Sequence, residues 1–147
     1  MTKFHTRLPS DKPGFHGEYL VGDSFLKFDD DLFEAWFQLD YLPSVPELDL
    51  IVFHPDTGFF LLEIKGVRIE SIAKYDLAEF VLFPNSKKQH PVEQLRTGQH
   101  RLKNYFVEIF KKQRRDLRAP FIQTSVIWPQ ITRSQWNSRF ADERIKM

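Results

Sequence analysis

Two hydrophobic runs separated by a short polar break stand in the middle of the chain. Residues 47–53 (ELDLIVF) and 59–66 (FFLLEIKG) are rich in aliphatic and aromatic residues, and the break at 54–58 (HPDTG) contains Pro, Asp and Gly. This pattern predicts a strand, a turn and a second strand. Because side chains alternate between the two faces of a strand, Glu63 and Lys65 are expected to share a face with Phe59 and Leu61. That face would end in a carboxylate and an ammonium group.

The register of this hairpin decides where a second carboxylate lies. If Phe53 pairs with Phe59 across the turn, Asp49 lies opposite Glu63, with Cβ atoms about 4.5–5.5 Å apart. Two like charges at that distance destabilise a sheet unless something positive lies between them. A divalent cation with oxygen ligands would resolve the conflict. The alternative is a solvated sheet face on which Lys65 or a distant Arg pairs with both acids. A slip of one residue would send Asp49 to the other face.

The remaining apolar pattern predicts helices and strands on both sides of the hairpin. A long helix from Pro91 to about Lys112 is indicated by an apolar stripe at helical spacing and by a proline at its first position. Gly98 on this helix would permit a close approach to the sheet. The other expected elements are a helix at about 14–28, a strand at 32–42, short strands within 67–83 that extend or decorate the sheet, a loop at 84–90, a buried strand at 119–128 and a short helix at 131–140. Together they indicate an α/β domain with a mixed sheet between helices.

At the hairpin a family resemblance becomes specific. The segments 47–52 and 58–66, with Gly17–Glu18 opening a helix upstream and Pro91-x-x-Gln94 opening one downstream, resemble the nuclease-related (NERD) branch of the PD-(D/E)xK nucleases. The resemblance covers about residues 14–130. It departs from the family pattern at Leu48, where a proline is usual, and at Gly98, where an aromatic residue is usual. It implies a restriction-endonuclease-like mixed β-sheet flanked by helices.

The resemblance also implies an activity and a set of site residues. It implies Mg²⁺-dependent hydrolysis of DNA phosphodiester bonds in DNA processing or repair, with Mn²⁺ as a possible substitute. The implied metal ligands are Asp49, Glu63 and the backbone carbonyl of Ile64; Lys65 would orient or deprotonate the attacking water, and Glu18 and Gln94 would support the site.

Other roles for these residues stay open. Glu18 could simply be a carboxylate favoured in the first turn of a helix, and Gln94 an ordinary polar residue of a capping turn. A catalytically inactive nucleic-acid-binding module with the same fold is the main alternative function. A scaffold domain that docks a partner protein is a third.

The net charge of +1 conceals a division between the two halves of the chain. Residues 1–80 carry 7 Lys and Arg against 15 Asp and Glu, whereas residues 81–147 carry 14 against 5. This asymmetry indicates an anionic partner, most commonly nucleic acid, unless the halves neutralise each other within the fold. The predicted phosphate contacts are Arg96, Arg101, Lys103, Lys111, Lys112, Arg114 and Arg115. The basic run at the helix end could also serve only the helix dipole.

Several classes of protein are excluded or disfavoured. The chain has no cysteine for thiolate chemistry, its five histidines lack the spacing of a zinc site, and it has neither a Gly-rich phosphate loop nor a Gly-x-Ser-x-Gly elbow. No apolar run reaches the length of a membrane span, so we expect a cytoplasmic protein without a membrane partner. We expect an N-terminal arm at 1–13 and a nuclease-related domain at 14–147. The chain stops in a charged stretch seven residues after Phe140, which predicts that it is the N-terminal part of a longer protein. The resemblance implies that a helicase or kinase-like region follows, and the segment from Trp128 to Trp136 favours a helicase.

Overall fold

The computed structural model describes residues 2–28, 30–39, 48–114, 118 and 120–140. Eight strands, three helices and one short 3-10 turn (Ile69–Ser71) follow one another along this part of the chain. In chain order they are β1 (Lys3–Phe4), α1 (His16–Leu26), β2 (Glu34–Leu39), β3 (Leu48–His54), β4 (Gly58–Ile64), β5 (Ile72–Tyr75), β6 (Phe80–Leu82), β7 (Ser86–Lys88), α2 (Pro91–Lys112), β8 (Ile122–Ile127) and α3 (Arg133–Phe140).

The main sheet has five strands in the order β1-β2-β3-β4-β8. The three central strands are antiparallel neighbours, whereas β1 joins β2 and β8 joins β4 in parallel. In the β3–β4 hairpin Phe53 lies opposite Phe59 and Leu50 opposite Leu62, which confirms the predicted register. Gly58 starts β4 with a φ of +86°, a backbone conformation that glycine adopts at little cost. The mixed sheet between helices confirms the α/β class and is consistent with a restriction-endonuclease-like fold.

Helices cover both faces of this sheet, and two apolar clusters form between the layers. The cluster on the α2 side consists of Leu48, Ile51, Leu61, Leu95, Leu102 and Ile122. The cluster on the α1 side consists of Val21, Ala35, Phe37, Leu50, Val52, Leu62 and Ile64. Residues 61 and 62 therefore face opposite layers, as the alternation of side chains along a strand requires.

The segment between β4 and α2 forms a structure of its own. Strands β5, β6 and β7 make a separate three-stranded antiparallel sheet. Its apolar side packs against α3 in a third cluster, in which the buried residues are Ile72, Tyr75, Phe80 and Phe140. Of the two alternatives predicted for residues 67–83, extension of the main sheet was wrong, because these strands pair only with one another and with β7 among the described residues. The loop expected at 84–90 also contains β7, a strand because its backbone completes the hydrogen bonding of β6.

The other boundaries follow the sequence more closely. The helix α2 spans Pro91–Lys112 as predicted, and α1 and α3 lie within their expected ranges. The strand expected at 32–42 is β2, which starts at Glu34; residues 40–42 lie outside the described part of the chain. The last strand was predicted to be buried, but β8 lies at the edge of the sheet and exposes Thr124 and Ser125. None of the described helices is both long and apolar enough to cross a membrane.

Candidate active site

The candidate site lies where the backbone pairing of β3 and β4 ends. The ladder runs from the His54–Gly58 pair to the Leu50–Leu62 pair. Beyond it, the backbone N–H of Ile64 donates a hydrogen bond of 2.8 Å to Oδ2 of Asp49. A carboxylate therefore takes the place of a strand partner at the start of β3. This contact places Asp49 beside the end of β4, although the ladder ends one pair before the predicted pairing of Asp49 with Glu63.

Glu63 is the most buried charged residue of the site. Its side chain shares a face of β4 with Lys65, and the Nζ atom of Lys65 lies 2.7 Å from its Oε1 atom. Burial raises the pKa of Glu63 above its ordinary value, the negative charge of Asp49 raises it further, and Lys65 partly opposes both effects. Among the described residues, Lys65 is the cation that pairs with Glu63, and the repulsion from Asp49 remains.

Helix α2 brings a fourth side chain to the same place. Pro91 occupies the first turn, and Nδ1 of His90 accepts a hydrogen bond from the N–H of Val92. The helix lies close to the sheet because Gly98 has no side chain: a Cβ atom there would come within 2.9 Å of Leu48 Cδ2. One turn earlier, Oε1 of Gln94 accepts a hydrogen bond of 2.8 Å from Nζ of Lys65. Lys65 therefore bridges the hairpin and the helix.

Helix α1 reaches this end of the sheet through a contact between two glycines. A Cβ atom on Gly17 would lie only 2.7 Å from Cα of Gly66, the residue that follows Lys65. Glu18, the next residue of α1, is half-buried. The structure thus places the backbone of Glu18 near the end of β4, in the first turn of its helix.

The donor atoms at this position suit a hard divalent cation. The N–H and C=O of a strand residue point to the same side, so the carbonyl of Ile64 is directed to the side on which its N–H meets Asp49. Within the described residues there is no group of three or more His, Cys, Asp or Glu side chains that could hold a metal ion. Two carboxylates and one carbonyl remain as candidate ligands. Oxygen atoms are the ligands that Mg²⁺ prefers, and a divalent charge would offset the repulsion between Asp49 and Glu63.

A narrow cleft of about 90 Å³ opens onto these groups. Asp49, Glu63 and Gln94 line it, together with two polar residues that the sequence reasoning did not single out, Gln89 and Thr97. Thr97 follows Gln94 by three residues on α2, so helical spacing could have identified it. Gln89 comes from the segment between β7 and α2, and no pattern in the sequence distinguishes it.

The predicted phosphate contacts are divided between different parts of the surface. All of those described are exposed, and Arg115 lies outside the described residues. Arg96 pairs with Glu93 at 2.5 Å and borders a depression beside Thr124 and Ser125 of β8. Arg101 and Lys112 border a different depression on α2. Lys103 and Lys111 lie elsewhere on α2, and Arg114 follows its end.

Comparison with known proteins identifies a family. The family model described as the nuclease-related domain matches residues 13–129 of the chain. No curated protein and no solved structure matches it.

Proposed function

The chain belongs to the nuclease-related domain family, and from this premise we propose that it is a Mg²⁺-dependent nuclease that hydrolyses DNA phosphodiester bonds. The observation that carries the proposal is the meeting of Asp49, Glu63, Lys65 and Gln94 in one cluster at the end of the β3–β4 hairpin. An inactive binding module would have no need for two carboxylates held together against their mutual repulsion.

Each side chain has a role that follows from its position. Asp49, Glu63 and the carbonyl of Ile64 would hold Mg²⁺, or Mn²⁺ in its place. The bound ion would supply Lewis acidity toward the scissile phosphate and lower the pKa of a coordinated water. The ammonium group of Lys65 orients the attacking water and offsets charge on the phosphate, and Gln94 holds Lys65 in place through its Oε1 atom. Glu18 supports the site from α1.

Some of the exposed cations of α2 supply contacts to the DNA backbone in this proposal. Exposed Lys and Arg side chains contribute affinity that does not depend on base sequence. The helicase region implied by the resemblance, and a role in DNA processing or repair, remain predictions.

The test is a cleavage assay with labelled DNA in Mg²⁺, in Mn²⁺ and in EDTA. We expect cleavage only with a divalent cation, and its loss in Glu63→Gln and Lys65→Met. A matched control is the pair of Asp23 on α1 and Lys27 just after its end, in which Nζ of Lys27 lies 2.6 Å from Oδ2 of Asp23. Asp23→Asn and Lys27→Met should cleave as the wild type does.

Two results would contradict the proposal. One is cleavage that persists in EDTA, and the other is full activity in both Glu63→Gln and Lys65→Met. DNA binding without any cleavage, in a protein whose circular dichroism spectrum shows it to be folded, would favour the inactive binding module instead.

A further inference from the structure

Four of the five predicted phosphate contacts on α2 fall into two sets according to the direction in which their side chains point; the fifth, Lys111, lies about 100° from Gln94 and belongs to neither set. Successive residues of a helix are rotated by about 100° around its axis. Arg101 follows Gln94 by seven residues and therefore lies within about 20° of Gln94 around the helix. Lys112 follows Gln94 by 18 residues and lies on the same line. Arg96 and Lys103 follow Gln94 by two and nine residues and lie about 160–180° away. Gln94 points into the site, so only Arg101 and Lys112 continue its line.

The surroundings of these side chains agree with the division. Arg101 and Lys112 line one depression together with Asn104 and Tyr105. Thr97, which lines the cleft of the candidate site, lies one turn before Arg101 on α2. Arg96 instead bonds to Glu93 and faces the edge strand β8.

We propose that a nucleic-acid strand leaves the cleft along this line of α2, with its phosphates against Thr97, Arg101, Asn104 and Lys112. This path rests on the proposed nuclease function and specifies how its substrate is held. Hydroxyl, amide and cationic side chains are the usual donors to phosphate oxygens. From Gln94 to Lys112 the line is about 27 Å long at 1.5 Å per residue. Duplex DNA rises about 3.4 Å per base pair along its axis, so the line is as long as about eight base pairs of duplex.

One residue on the line opposes phosphate binding and gives the path a test of opposite sign. Glu108 is exposed, lines the same depression as Arg101 and Lys112, and lies between them in sequence. A carboxylate beside a phosphate is repulsive, so it weakens the binding of any strand that follows this path. Removing the charge of Glu108 should therefore strengthen nucleic-acid binding. If the strand does not touch this surface, the same change should have little effect at physiological salt.

The experiment measures the salt dependence of binding by fluorescence anisotropy, in EDTA and in a Glu63→Gln background that cannot cleave. Duplex DNA and a single strand of equal length are titrated separately. Replacing both Arg101 and Lys112 with Ala should reduce the slope of log affinity against log salt by about 1.8 for duplex DNA or about 1.4 for a single strand. The matched control, Arg96→Ala with Lys103→Ala, removes one Arg and one Lys from the same helix and should leave the slope unchanged. Glu108→Gln should tighten binding.

The outcomes separate the path from the function. If the control pair reduces the slope as much as Arg101 and Lys112 do, or if Glu108→Gln leaves affinity unchanged, the path is wrong even where Mg²⁺-dependent cleavage is observed. If the Glu63→Gln protein binds neither DNA at low salt, the path and the proposed function both fail. The DNA whose slope responds to Arg101 and Lys112 is the form that follows α2.

Discussion

The glycine contact between α1 and β4 allows a prediction with a magnitude. A Cβ atom on Gly17 would lie 2.7 Å from Cα and 3.1 Å from N of Gly66. Carbon atoms in favourable contact are about 3.5–4.0 Å apart, so the two backbones would have to separate by about 1 Å. Neither atom of Gly66 can rotate away, because both belong to the backbone. We expect Gly17→Ala to lower the free energy of unfolding by about 1–3 kcal/mol, the usual cost of overpacking.

Two other glycines serve as matched controls. Gly22 belongs to the same helix, but the nearest atoms to its Cβ position are 3.6–3.7 Å away, which is ordinary contact. Gly22→Ala should therefore raise the free energy of unfolding by about 0.5–1 kcal/mol, because alanine is the better helix former. At Gly98 the closest atoms are the side-chain ends of Leu48 at 2.9 Å and Leu61 at 3.2 Å. These ends can shift, so Gly98→Ala should fall between the other two variants.

Urea unfolding monitored by circular dichroism would give the three free energies, and thermal melts would give shifts of about 2–4 °C per kcal/mol for a domain of this size. Gly17→Ala should also reduce cleavage by more than the loss of folded protein explains, since it moves the helix that carries Glu18. The reasoning fails if Gly17→Ala is as stable as the wild type, or if Gly22→Ala is destabilised by the same amount as Gly17→Ala.

Two further predictions concern buried polar groups. The pKa of Glu63 is raised above its ordinary value of 4.5, first by burial and then by the charge of Asp49. The folded protein therefore holds the proton of Glu63 more tightly than the unfolded chain does. The stability that this proton contributes is fully present below about pH 4.5 and is lost as the pH rises through the folded pKa. In metal-free buffer Glu63→Gln should remove this loss of stability, which is worth about 1.4 kcal/mol for each unit by which the pKa is raised. Urea titrations at about pH 4 and about pH 8 would measure it. The prediction is refuted if the free energy of unfolding changes between the two pH values by the same amount in the wild type and in Glu63→Gln. Burial raises the pKa of Tyr75 to about 12, and its hydroxyl has no hydrogen-bond partner among the described residues. Tyr75→Phe should raise the free energy of unfolding by about 1–3 kcal/mol near neutral pH. It should also remove the loss of stability that the Tyr75 hydroxyl causes in the wild type above about pH 10. A destabilised variant would indicate that the hydroxyl is hydrogen-bonded.

The hairpin and the long helix could be predicted because local rules determine them. Alternation along the strands and a short turn are enough to place Phe53 opposite Phe59, and this register carries Asp49 to Ile64 and Glu63. An apolar stripe and a proline at the first position define α2 to the residue. The meeting of Asp49 with Glu63 was therefore accessible from the sequence.

The small sheet and the position of β8 depend on pairing that the sequence does not express. The strand β7 contains Ser86, Lys87 and Lys88, which have no apolar alternation, and they form a strand only because β6 offers an unpaired edge. The apolar residues around β8 led to the prediction of a strand buried on both sides, yet Gln123, Thr124 and Ser125 interrupt them, and nothing pairs with its outer edge within the described residues. The contact of Gly17 with Gly66 joins two glycines 49 positions apart, which no local pattern connects.

The site combines a tight scaffold with unfavourable electrostatics. Gly17 and Gly98 let α1 and α2 approach the sheet closely, so side chains from different elements converge within hydrogen-bonding distance. The raised pKa of Glu63 shows that the same convergence is costly when Lys65 is its only cationic partner among the described residues. Packing on both faces of the sheet compensates for that cost. A bound cation would stabilise the two carboxylates that the fold holds together at a cost in free energy. Mg²⁺ should therefore raise the melting temperature of the wild type and not that of Glu63→Gln.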